Sequence, residues 1–470
     1  MDLVLGVDLG TSYFKLGLFD AQGRLRGLSR VAVIKDTGDG MRAELPVDRF
    51  WRMLREGLQQ ACNQANAACD GIKAVSYASQ ANSFILLDQA HQPLTPLVLW
   101  CDERARSHPA VGHLFDKEQF LEHTGLGVSC NHQFCVAKIL WFQRHHAALW
   151  SRARHLLTLS DYFTFCLTGE TVGDMGTASL LGLLDIHQAE WLRSIVDLGA
   201  VALAKPLRPG TMAGKVNRQG AALLGLPAGI PLVVGSLDHH MAGLGAGLDV
   251  IADLSESCGT VLACVRTTPV FRPFQDACTG VDFKPGRFFQ LVFDGNGAAG
   301  LEWYHQTHAA DLSLEDLEQQ AATVPIGSEG LLARPQACRF PDLDGFLHKK
   351  ALHGHGHFYR ALLESTAVSA KRLIDRFSAH AAPERAVATG GGAKSELWLQ
   401  IKADLSGLEY VTSQGQSPAA MGAAMLAAVA AGWFADLSSA SQQWIKLTKR
   451  YVPNPERQDR YQRWYQALPQ

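Results

Sequence analysis

Two α/β domains of similar plan are the fold class that this 470-residue chain predicts, on three observations. An apolar β-type run, Leu3 to Val7, leads into Asp8-Leu9-Gly10-Thr11-Ser12, and a second run, Tyr13 to Phe19, follows it as in a hairpin. From residue 252 the pattern returns as Leu254 to Ser257, the turn Cys258-Gly259-Thr260 and the apolar Val261 to Val265, which points to an internal duplication. Strand-like and helical stretches alternate in both halves, and the length suits roughly two to three domains, each with its own core.

Taken in order, Pro46 to Ala68 carries Phe50, Trp51, Leu54 and Leu58 at helical spacing, and Ile72 to Tyr77 and Phe84 to Leu87 read as strands. The segment from Leu114 to Leu203 is expected to be mostly helical, with turn residues from Pro206 to Gly214 ending it. A buried strand, Pro231 to Val234, then runs toward Asp238. The second half offers a strand at Phe288 to Phe293, a helix opening near Gly297, a helix from Phe358 to Phe377, and a strand at Ala386 to Ala388 leading into Gly390-Gly391-Gly392. Ala419 to Ala435 has no charge and nearly the length of a membrane span, but its alanines and glycines suit a buried helix lying close to other backbone. The tail, Trp444 to Leu468, reads as a surface helix.

Composition narrows the function. Hydrophobic residues make up 47% and charged residues 19%, so the chain has the means to fold. Lys and Arg total 43 against 45 Asp and Glu, a net charge of −2, which provides no general field for nucleic acid or anionic lipid. No C-x-x-C pair occurs among the ten cysteines, so zinc binding is not indicated and reduced thiols are expected. No basic segment precedes the first apolar run, and a cytoplasmic location without membrane partners is the expectation.

Several motifs carry possible chemistry. A carboxylate at the end of a buried strand, as at Asp8, is costly unless paired or near a cation, and the backbone and hydroxyls of Gly10, Thr11 and Ser12 suit phosphate oxygens. A simple turn closed by an Asp side chain satisfies the same residues. Asp238 ends a second buried strand before a glycine-rich segment, where it suits either a general base for a hydroxyl attacking phosphorus or a helix cap. Gly295-Asn296-Gly297-Ala298-Ala299-Gly300 matches the dinucleotide pattern G-x-G-x-x-G, but the next segment, Leu314 to Ala322, reads as an amphipathic helix instead of the required second strand. The histidines at 353, 355 and 357 lack an evident carboxylate or Cys partner for a metal, and a turn before a helix is the favoured reading. No G-x-x-x-x-G-K-[ST] is present, which excludes a P-loop kinase.

Together these motifs resemble those of the FGGY family of carbohydrate kinases, over nearly the whole chain. Asp8 to Ser12 with Lys15 is similar to the family's first phosphate motif, Ser257 to Thr260 to its second, Gly390 to Ser395 to its adenosine motif, and Ser417 to Ala424 to its closing small-residue helix. The stretch from Gly71 to Arg104 is most like xylulokinases. Two departures stand out: Gln80-Ala81-Asn82-Ser83 replaces Gln-Met-His-Gly, and Asp238-His239 replaces Asp-Asn. Both alter groups that read substrate hydroxyls, so they bear on which ketose or polyol is accepted.

The resemblance implies a two-domain fold of the actin, hexokinase and Hsp70 ATPase type, with an active-site cleft between duplicated domains. Residues 1–247 would form the first domain, 248–440 the second and 441–470 a helical tail. It further implies ATP and Mg2+ as cofactors and a small sugar or polyol as substrate. Asp238 would be the base, and Gln80, Asn82, Asp102 and His239 would contact the sugar with it. Gly10, Thr11, Ser12, Lys15, Gly259 and Thr260 would hold phosphates, Gly297, Gly391, Gly392 and Ser395 would lie along the adenosine, and Asp8 would place the metal. Domain closure would exclude water. A silent nucleotide-binding regulator of the same fold is the alternative, with a NAD-dependent oxidoreductase behind it; a homodimer is the commonest assembly for soluble enzymes of this size.

Overall fold

The structure, a computed structural model, describes residues 1–38, 40–259, 261–377 and 382–468. The chain divides into two compact units. Unit 1 comprises residues 1–245, 267–290 and 415–444, and unit 2 comprises 246–266, 291–414 and 445–470.

Unit 1 is organised by a six-stranded sheet in the order Met212–Lys215, Pro231–Leu237, Ile72–Ser79, Leu3–Leu9, Tyr13–Phe19, Leu25–Ala32. The first hairpin is antiparallel, and Leu3–Leu9, Ile72–Ser79 and Pro231–Leu237 run parallel at the centre. Leu3–Leu9 is buried along its whole length, as a central strand covered on both faces must be. Leu16 lies toward Gly57 of the helix Val47–Gln64, and its neighbour Gly17 lies toward Ala420 of the helix Pro418–Ala430. Successive strand residues face opposite sides, so these two helices cover opposite faces of the sheet.

Close backbone approach explains the small residues. A Cβ on Gly6 would stand 1.9 Å from the Ala420 carbonyl oxygen, and one on Gly27 would stand 2.0 Å from that of Ala61. The uncharged segment near the C-terminus is thus a buried helix, and among the described residues no helix is long and apolar enough to cross a membrane. That helix belongs by packing to unit 1, although it follows the second half in sequence.

Unit 2 repeats the plan. Leu254–Cys258 pairs antiparallel with Leu262–Thr268 and parallel with Arg385–Thr389, which runs parallel to Glu409–Ser413. The helices His355–Phe377 and Glu396–Ser406 pack together beside this sheet.

Three expectations change. The region 114–203 is less helical than its apolar content suggests: short helices alternate with short strands, and His155–Thr158 pairs antiparallel with Phe84–Leu87 in a second, five-stranded sheet. The tail is not all helix, because Leu447–Tyr451 adds as a strand to Glu409–Ser413 before the helix Pro455–Gln466. Nor are all cysteines reduced: Cys62, in the helix Val47–Gln64, is bonded to Cys69, with Cα atoms 6.0 Å apart. The turn after that helix folds Cys69 back over its last turns, a proximity that a seven-residue spacing does not reveal.

Candidate active site

The residues expected to handle substrate all lie in unit 1. Asp8, near the end of its strand, is 4% exposed and is the register partner of Lys15 across the hairpin. The Lys15 ammonium donates to Asp8 Oδ2 at 2.8 Å. Burial pushes the Asp8 carboxyl above its ordinary value although Lys15 opposes this; the Asp238 carboxylate raises it further and His239 lowers it. Asp8, Lys15, Asp238 and His239 therefore share one electrostatic neighbourhood.

A closed ring of hydrogen bonds fixes the Gly-Thr turn. Gln80 Nε2 donates to the Gly10 carbonyl at 3.1 Å, and the Ser83 hydroxyl donates to Gln80 Oε1 at 2.9 Å. The Trp100 backbone N–H donates to Ser83 Oγ at 2.9 Å, and its indole Nε1–H donates to Thr11 Oγ1 at 2.7 Å. Thr11 and its neighbours are thus held by residues up to 89 positions away, while Ser12 is left exposed. Ser83 and Trp100 lie in stretches that the sequence reading placed near the sugar without giving either a role of its own; here both hold the turn.

The other expected sugar contacts are also anchored. Asn82 sits at φ 62°, donating from Nδ2 to the Leu180 carbonyl and accepting at Oδ1 from the Cys135 N–H. Asp102, 1% exposed, accepts from the Ala43 N–H and from Arg104, whose guanidinium also meets Glu44 and lies 4.6 Å from the Trp141 ring centre. Both ends of the Gln80 amide are engaged in the ring described above.

Asp238 is the first residue of the helix Asp238–Ala246, directly after the strand Pro231–Leu237. It is half-buried, and Oδ1 accepts from the His239 N–H at 2.8 Å. The elements on both sides of the corner are tightly packed: a Cβ on Gly235, in the strand, would meet the Tyr77 carbonyl oxygen at 1.6 Å, and one on Gly245, at the far end of the helix, would meet that of Pro418 at 1.9 Å.

In unit 2, three expected adenosine and phosphate motifs converge. The Gly259 carbonyl accepts from the Ala298 N–H at 2.7 Å, next to Gly297. Gly390, at φ 79°, comes so near Cys258 that a Cβ would lie 2.7 Å from its carbonyl oxygen, and a Cβ on Gly392 would lie 2.7 Å from the Trp398 ring. By contrast, among the described residues no atom beyond the chain neighbours lies within 4 Å of a Cβ placed on Gly259 or Gly391, so both offer bare backbone to open space, as a closely approaching phosphate or ribose needs. Ser395 caps the helix Glu396–Ser406 by accepting from the Trp398 N–H. Thr260 lies outside the described residues.

Other sequence candidates resolve into structure. Asn296, within the G-x-G-x-x-G stretch, donates to Ser365 and Ser369 and accepts from the Gln336 N–H, and the stretch leads to two successive helices, Ala299–His308 and Leu314–Thr323. A dinucleotide unit needs a strand there. The histidines at 355 and 357 lie in the first turn of a helix that begins earlier than expected, and each ring has its own partner: His353 the Lys350 N–H, His355 the Tyr304 hydroxyl, His357 the Gly354 N–H.

Comparison with known proteins agrees with this arrangement. Family models for the N-terminal and C-terminal domains of the FGGY family of carbohydrate kinases match residues 3–245 and 297–431. The chain is 28% identical to a xylulose kinase of Bacillus subtilis, over 98% of this chain and 95% of that protein. It is 25% identical to an autoinducer-2 kinase of Escherichia coli K12, over 98% and 92%. The crystal structure of a xylulose kinase from Rhodospirillum rubrum superposes with a TM-score of 0.87 at 24% identity, covering 99% of this chain and 97% of the other, a likeness of fold. With models for both domains matched in order, the chain belongs to the FGGY family of carbohydrate kinases, xylulokinase-like, with that family's two-domain α/β fold of the actin, hexokinase and Hsp70 type.

Proposed function

We propose that this sugar or polyol kinase phosphorylates a hydroxyl of a small ketose or related polyol, with Asp238 as general base. The observation that carries this reading is the position of Asp238 at a strand-to-helix corner, close enough to Asp8 for its charge to weigh on Asp8's ionisation. A half-buried carboxylate at a rigid corner suits proton removal from a hydroxyl. The xylulose and autoinducer-2 kinases among the relatives support a small acceptor carrying hydroxyls.

MgATP supplies the phosphoryl group and, through its metal, charge neutralisation during transfer. In this reading Gly10, Thr11, Ser12, Lys15, Gly259 and Thr260 bind phosphates, and Gly297, Gly391, Gly392 and Ser395 line the adenosine. The open backbone at Gly259 and Gly391 fits that role. Asp8 offers hard oxygen, suited to Mg2+, but Lys15 already occupies Oδ2, which favours contact with the metal through water. Asn82 and His239 order the acceptor, while the buried Asp102 acts by holding Arg104 and the Ala43 backbone, and Gln80 by holding the Gly10 turn.

An ADP-release assay with MgATP over pentuloses, hexuloses, pentitols, tetritols, glycerol and aldonates, with a control lacking acceptor, tests the reading. Strong stimulation by one ketose or polyol is expected. ATP binding without stimulation by any acceptor would favour a silent regulator, and absence of ATP binding would overturn the reading altogether.

A further inference from the structure

We propose that Ser236, His240 and Asp282 form a positioning device that sets the direction of the Asp238 carboxylate, an inference that rests on the role given above to Asp238. Two residues before Asp238, Ser236 is the next-to-last residue of the strand; two residues after it, His240 lies in the first turn of the helix. Ser236 Oγ and His240 Nδ1 are 3.0 Å apart, which ties the two sides of the corner to each other. His240 Nε2 lies 3.0 Å from Asp282 Oδ1, which ties the corner to the turn following the strand Cys278–Val281.

The proton positions follow from chemistry. The Asp282 carboxylate only accepts, so Nε2 carries hydrogen and donates; in the neutral ring Nδ1 then accepts from the Ser236 hydroxyl. Asp282 stays ionised, because although its burial favours the neutral acid, the hydrogen bonds from His240 Nε2–H and the Phe283 N–H, with the nearby Arg287, prevail and hold its carboxyl below the usual range. The imidazole has little freedom to turn: Phe283 stacks on it at 4.2 Å between ring centres, and Phe289 lies at 4.4 Å. Behind Ser236 there is space for no more than a hydroxyl, since a Cβ on Gly176 would stand within 2 Å of Oγ and glycine alone fits there.

Serine, histidine and aspartate also make up hydrolytic triads, but that reading fails here. In such triads the carboxylate engages Nδ1 and the hydroxyl engages Nε2, the reverse of this ring. Ser236 is 0% exposed, His240 1% and Asp282 2%, so no acyl or phosphoryl centre can reach Oγ. What the three groups can do is fix backbone geometry on both sides of Asp238 and His239, the two partly exposed residues between them. Asp238 has its own N-terminal hydrogen bond from the His239 N–H, so its carboxylate turns with the backbone that His240 holds.

The test uses the full-length protein. His240→Leu removes both ring bonds, His240→Gln can restore the donation to Asp282, and Ser236→Ala deletes one hydroxyl. Steady-state kinetics with the best acceptor should show kcat of His240→Leu lower by on the order of 10- to 100-fold, the effect of a displacement of about 1 Å. KM for acceptor and ATP should be unchanged, with partial recovery in His240→Gln and a smaller loss in Ser236→Ala. Equal losses in kcat and thermal stability without recovery in His240→Gln, or wild-type kcat in all three, would overturn the proposal. Should His240→Leu not fold, the comparison of Ser236→Ala with His240→Gln decides by the same kcat criterion. If wild type phosphorylates no acceptor, the reading of function fails separately, and crystal structures of wild type and Ser236→Ala decide this inference: a shifted Asp238 carboxylate supports it, an unmoved one overturns it.

Discussion

Asp8 and Lys15 stand opposite each other in the register of the first hairpin, and their side chains close an ion pair of 2.8 Å while Asp8 remains buried. Lys15 is about one-third exposed, so it brings positive charge to the edge of the site. Burial and attraction act in opposite directions on the Asp8 carboxyl, and burial prevails.

Removing the cation therefore has a defined sign. Lys15→Met should raise the Asp8 carboxyl further and move the acid limb of the kcat/KM profile to higher pH, because a larger share of Asp8 is then protonated at a given pH. An acid limb in the wild-type position would count against an ionised Asp8 in turnover.

Stability should respond to the same group. A carboxyl raised in the folded state favours folding while protonated, and this contribution is lost as pH rises through its folded value. Asp8→Asn has no such loss, so its melting temperature relative to wild type should increase with pH while kinase activity disappears. Calorimetry at several pH values checks the first statement and a coupled assay the second.

Asp238→Ala should lower acceptor-dependent turnover by about 100- to 10,000-fold, the usual contribution of a positioned base. ATP affinity by isothermal titration should stay within a few-fold, since the proposed base would meet the acceptor and not the nucleotide. Near-normal turnover would remove Asp238 from the mechanism.

Asp161 carries a second pH signature. Burial, assisted by the neighbouring Asp174 carboxylate, pushes its carboxyl up to about 7, while it caps the helix Leu159–Thr168 through Thr158. From near the ordinary carboxylate value of 3.8 up to about 7 the folded state holds a proton that the unfolded state releases, so wild-type stability should fall as pH rises across that range. Asp161→Asn keeps an acceptor for the Thr158 N–H and should flatten the dependence, as melting curves between pH 5 and 8 would show.

Glycines divide by what lies in front of them. Gly6→Ala would drive a methyl group into the Ala420 carbonyl and should destabilise unit 1 by on the order of 3 kcal/mol. Gly391→Val faces open space, so it should melt like wild type and bind ATP more weakly. Denaturant titration and nucleotide binding on both variants separate the two effects.

Much of this was legible in the sequence because it is local. A buried strand that ends in a carboxylate and a Gly-Thr turn is contained within a dozen residues, and its echo at residues 254–265 exposes the duplicated plan. The base proposed at Asp238 could be suggested for the same reason: strand, carboxylate and helix start are consecutive. Alanine and glycine in the last long helix announced close packing, though not against which strands.

Tertiary structure alone decided what meets at a distance. The ring from Gln80 through Ser83 and Trp100 to Thr11 depends on strand register and on side chains up to 89 positions apart. Cys62 meets Cys69 only because a turn folds back, and the helix Pro418–Ala430 joins unit 1 because Gly6 admits its backbone at a distance no side chain would permit. Nothing in the sequence marks His240, which only folding brings together with Asp282 and two aromatic rings. Residue order determines strands, turns and the chemistry placed on them, whereas hydrogen-bond partners and close backbone contacts are set by three-dimensional packing, where separation along the chain imposes no limit.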